Sequence, residues 1–97
     1  MQLPEDPFIR ELLPEFIDDW INQLNENFDQ YVADSNFNEM YRLGHTLKGS
    51  CLQFGLDDMA VIGVEMMADC KEMKMEDIIP MKEKLLSMFT NVKSILE

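Results

Sequence analysis

Residues 37–54 read FNEMYRLGHTLKGSCLQF, and their apolar members recur at intervals of three and four, the spacing of one face of an α-helix. An α-helix turns about 100° per residue, so the direction of each side chain relative to His45 follows from its number. With His45 at zero, Met40, Leu43, Leu47, Cys51 and Phe54 fall at roughly 220°, 160°, 200°, 240° and 180°, a single stripe opposite the imidazole. That stripe is the expected core face. His45, the only histidine of the chain, is therefore expected to project into solvent.

Its neighbours on that outward face form a pattern. Arg42 and Lys48 lie about 60° to either side of it, and Gly49 about 40° away, one turn further along. Gly44 and Gly49 each cost a helix about 1 kcal/mol relative to alanine. An exposed face offers no internal packing reason to accept Gly49, whereas a missing Cβ beside the histidine lets another molecule come close. Tyr41 and Leu52, at about −40° and −20°, extend the same face with apolar surface that the core is not expected to need. An aromatic ring and a leucine around an exposed histidine suit a protein docking surface. The chemistry available there is a nucleophilic imidazole with an electrostatic clamp: the ring can attack a phosphoryl group, and Lys48, with Arg42, can neutralise its oxygens.

No stretch alternates apolar and polar residues as a half-buried strand would, so the chain is expected to be all-α. Asp6 and Pro7 suit a helix start, and a short helical extension is expected to run to about Leu13, where Pro14 kinks it or begins the next segment. Ile17, Trp20, Ile21, Leu24, Phe28, Tyr31 and Val32 then recur at helical spacing. ADSNFNE supplies a break, and Gly55 is placed to stop the helix that holds His45. Asp57 and Asp58 mark another helix start, with Met59, Ile62, Gly63, Met66, Cys70 and Met73 as its buried stripe. Glu72 through Glu76 is the expected connection. Asp77 is expected to cap a last helix, with Pro80 in its first turn and Ile78, Leu85, Met88, Phe89, Val92 and Ile95 inward. Amphipathic helices joined by short turns predict an antiparallel up-down four-helix bundle with a short N-terminal helical extension, one domain over residues 1–97.

Composition narrows the function. The chain has 97 residues, 46% of them hydrophobic, enough for one core without disulfide or metal staples. Nineteen acidic residues against eight basic ones give a formal charge of −11, which repels nucleic-acid phosphates and anionic membranes. Neither is an expected partner. The start MQLPEDPF has no basic or apolar stretch of a signal peptide, and no apolar run approaches the roughly 20 residues of a membrane span, so a cytoplasmic protein is expected. Met1 fits a stand-alone protein, and a module of a larger kinase would read much the same. Cys51 and Cys70 lack metal-ligand spacing, and with one histidine no zinc set is available, so both are expected as reduced core residues. The nine methionines are expected to fill gaps in that core.

HTLKGS (residues 45–50), followed by Gly55, resembles the H-x-x-K-G-S…G signature of the histidine-containing phosphotransfer (HPt) domains of bacterial phosphorelays. The likeness covers most of the chain, including IRELLPEFI near the start and VEMMADC after the motif. Gly44 stands where alanine is common, which would loosen the helix just before the histidine, and Val64 replaces a frequent leucine before Glu65. The resemblance implies a four-helix bundle in which His45 accepts a phosphoryl group from the aspartate of a receiver domain and passes it to another such aspartate. It further implies that Lys48 gives electrostatic support and that Gly49 leaves room for the incoming receiver. The implied partners are receiver domains of response regulators or hybrid sensor kinases. They would carry the Mg²⁺, so that this chain needs no cofactor or metal of its own. KGS inside a helix is not a nucleotide-binding loop, and no kinase motif is present, so a phosphocarrier without ATP-dependent kinase activity is expected. The rival reading is a non-catalytic helical adaptor that binds a partner through the face around His45.

Overall fold

In a computed structural model, which describes residues 3–97, the chain is helical throughout, with no strand among the described residues. Helix α1 spans Pro7–Gln23, a π-helical turn covers Leu24–Phe28, and α2 continues over Asp29–Ala33. The backbone stays in the right-handed helical region across both junctions, so residues 7–33 make one rod with a single widened turn. Helix α3 spans Phe37–Gln53, α4 Asp57–Lys71, the short α5 Met75–Ile78, and α6 Met81–Leu96.

Pro14 neither ends nor begins an element: it lies inside α1. The expected N-terminal extension is therefore the first two turns of the long rod rather than a separate helix. Proline removes one intrahelical hydrogen bond, but its ring is on the solvent side. Leu13 and Ile17 on either side of it are completely buried, and their burial holds the helix through the missing bond. The start of α1 is capped as its sequence suggests, the Phe8 amide donating to Asp6 Oδ1 at 2.9 Å with Pro7 in the first helical position.

The four long helical segments share one core. Trp20 of α1 stacks on Phe89 of α6, with ring centroids 6.3 Å apart. Leu24 and Phe28 of the π turn join Leu85 and Val92 in the same buried cluster. At the far end of α3, Phe16 stacks on Phe54 at 4.1 Å. Met40, Met59, Met66 and Met81 are buried among these groups, where a flexible thioether fills irregular space.

Three helices end in the same way. The Leu56 amide donates to the Cys51 carbonyl and the Gly55 amide to the Leu52 carbonyl, with Gly55 at φ +75°, a Schellman motif that satisfies the last carbonyls of α3. The same pair of bonds closes α2 through Ser35 and α4 through Met73, both with positive φ although neither is glycine. That turn points Met73 outward, 72% exposed, so it does not extend the buried stripe of α4. Ile95 is likewise exposed on α6. The last helix starts later than Asp77 suggests: Asp77 belongs to α5, and Pro80, with no N–H to offer, sits at the boundary before Met81.

Candidate functional site

Helix α3 carries the site, and its start is set by Asn36, whose Oδ1 accepts from the Glu39 amide at 3.2 Å. Met40, Leu43, Leu47 and Cys51 are buried along one side of α3, which leaves the opposite side to solvent. His45, Lys48 and Gly49 are exposed there. A Cβ built on Gly49 would meet nothing within 4 Å, so the space beside the imidazole is open. Ser50 turns its hydroxyl back onto the Thr46 carbonyl at 2.5 Å; it is bonded within its own helix rather than to the histidine.

The two cations beside His45 differ. Arg42, 78% exposed, donates to Glu39 Oε1 at 3.3 Å, and with Thr46, Tyr31 and Gln23 it borders a small cavity of about 90 Å³ toward α1 and α2. Glu39 thereby partly neutralises the charge that the sequence pattern assigns to the histidine. Lys48 takes part in none of the ion pairs among the described residues.

Leu52 is 51% exposed, as an outward position should be. Tyr41 is not: it is half-buried and packs against the core cluster, with Lys71 Nζ of α4 lying 5.7 Å from its ring centroid. Sequence spacing within α3 placed the ring on the outward side, but it could not show that α4 comes close enough to cover part of it.

The closeness of α4 also explains Gly44. This glycine is buried, and a Cβ on it would stand 2.9 Å from the Gly63 carbonyl oxygen, while one on Gly63 would stand 2.6 Å from the Gly44 carbonyl oxygen. Contacts under 3 Å to backbone cannot be relieved by turning a side chain. Gly44 is thus a packing residue that lets two helices touch by backbone, and the expectation that it loosens α3 is replaced by close support from α4.

Elsewhere the chain offers little chemistry. Burial pushes the Cys51 thiol up to about 12 and the Cys70 thiol up to about 11, with the charge of Asp69 adding to the second; both remain protonated and unreactive near neutrality. Among the described residues no group of three or more His, Cys, Asp and Glu side chains could hold a metal ion. No helix there is long and apolar enough to cross a membrane.

A helical bundle that presents one exposed histidine beside a free lysine and an open glycine has the features of a phosphoryl-carrying signalling module. The Hpt domain family model matches residues 9–95, and the chain belongs to that family, whose members carry phosphoryl groups in two-component phosphorelays. No curated protein matches the chain, and no solved structure does.

Proposed function

We propose that His45 is the phosphoryl acceptor, taking the group from a receiver-domain aspartate and passing it to the aspartate of another receiver. The observation that carries this reading is an exposed imidazole with Lys48 unpaired nearby and open space at Gly49. In the forward step Nε2 bonds to phosphorus as the aspartyl O–P bond breaks. The carboxylate leaves with the bonding electrons, and Nδ1 keeps its proton until solvent removes it. Lys48 binds the oxygens of the group in flight, and Arg42, held by Glu39, has a lesser part. Gly49 admits the partner's backbone, and Leu52 with the exposed edge of Tyr41 gives the receiver an apolar seat.

Receiver domains of response regulators or hybrid sensor kinases are the partners in this reading. They bring the Mg²⁺, and this chain acts in the cytoplasm as a carrier with no cofactor and no ATP-dependent kinase activity. The antiparallel up-down arrangement of the bundle is part of the proposal. Its support is that contacts between α3 and α4 run in opposite directions along the chain, Tyr41 to Lys71 and Gly44 to Gly63.

The test is incubation with a phosphorylated receiver domain. Wild type is expected to take up label in an acid-labile, alkali-stable bond, and His45→Gln to take up none while still binding the receiver. Equal labelling of His45→Gln would refute the proposal.

A further inference from the structure

Half of the eight basic residues are tied to carboxylates: Arg42 to Glu39, Lys74 to Glu72, Lys82 to Asp29 and Lys93 to Asp18. Two of the others are Lys48, exposed on α3 beside His45, and Lys71, on α4 beside Tyr41. Lys71 is exposed in the last turn of α4, and what it touches is the Tyr41 ring, 5.7 Å from its Nζ, within the range of a cation–π contact. Tyr41 and His45 are four residues apart on α3, which puts their Cβ atoms about 5–6 Å from each other. The backbone contact of Gly44 with Gly63 holds α4 near enough for this reach, since any larger residue at either position would push the helices apart.

We propose that Lys71 is a second cation of the His45 site, parked on the Tyr41 ring in the unphosphorylated protein and transferred to the phosphoryl oxygens once His45 is modified. This rests on the reading of His45 as the acceptor. The exchange is favourable because an exposed cation–π contact is weak, whereas a charge-assisted hydrogen bond to a doubly charged phosphoryl group is stronger. Lys48, on the same helix as the histidine, and Lys71, across the groove, would then hold the group from two sides. The consequence is a longer-lived phosphohistidine and an equilibrium drawn toward this chain.

The experiment uses the full chain and a phosphorylated receiver domain, with His45→Gln as control. Lys71→Met is expected to lower the equilibrium ratio of labelled to unlabelled chain about fivefold at low salt, the deficit shrinking as ionic strength rises. Lys71→Arg should restore it. The Tyr41 ring proton resonances should shift on phosphorylation of wild type, as the ammonium leaves, and stay in place in Lys71→Met. A thermal melt unchanged by the substitution separates this from a folding defect, and Lys71→Gln serves as a second variant. If Lys71→Met and Lys71→Gln match wild type in labelling and in the Tyr41 shift while His45→Gln stays unlabelled, this inference is overturned and the acceptor reading stands. If His45→Gln is labelled, or wild type is not, the acceptor reading fails and this inference with it.

Discussion

Gly44 and Gly49 lie five residues apart on one helix, and the reasons for the two glycines are opposite. At Gly44 a methyl group would collide with the backbone of α4, while at Gly49 it would meet nothing. The first glycine brings two helices of the same protein together; the second leaves open the space that the proposed receiver would enter. One residue type thus marks both a crowded and an open point of α3, and only the neighbouring helix tells them apart.

The contrast between the two sides of α3 can be broken most strongly in the core. Leu47→Ala, at a fully buried position, is expected to cost about 2–5 kcal/mol. Leu52→Ala on the exposed side should stay within about 0.5 kcal/mol. Urea denaturation with an unchanged slope measures both, and similar costs for the two would mean that α3 does not bury the side seen here.

The glycines sharpen the same contrast at a smaller scale. Gly63→Ala, which pushes a methyl group against the Gly44 carbonyl and the Lys48 amide, should destabilise by about 1–3 kcal/mol. Gly49→Ala should stabilise by up to about 1 kcal/mol, because it removes the entropic cost of glycine from an exposed helix. The same variant is expected to slow phosphoryl uptake from a receiver. A protein that becomes more stable and transfers more slowly is the signature of a site kept open for a partner. Faster or unchanged transfer would remove that role from Gly49.

The smallest effect concerns pH. Both thiols have folded-state values raised above the ordinary value of about 8.5 for an unfolded chain, so the native state holds these protons more tightly. Their protonated forms cost nothing below about pH 8.5, and stability falls as pH rises above it toward the folded values. Between pH 7 and pH 9 the urea midpoint should drop slightly, and less so in Cys51→Ala than in wild type when each is compared with itself. Lys74 and Lys93, held above their ordinary range chiefly by hydrogen bonds to Glu72 and Asp18, lose their contribution only at higher pH, which keeps the two effects separate.

Periodicity within one segment was enough to place His45, Lys48 and Gly49 outward and Leu43, Leu47 and Cys51 inward, because the direction of a side chain on a helix depends on local backbone geometry alone. The same was true of the glycine stop at Gly55 and of the start at Asp6. What lay beyond local geometry was decided by packing. Pro14 stays inside α1 because burial of Leu13 and Ile17 outweighs one lost hydrogen bond. Ser35 and Met73 adopt a backbone conformation that favours glycine because the ends of α2 and α4 require it. Gly44 is buried, Tyr41 is half-covered and Lys71 reaches the Tyr41 ring because α4 lies against α3 backbone to backbone, a distance that no spacing within either helix encodes.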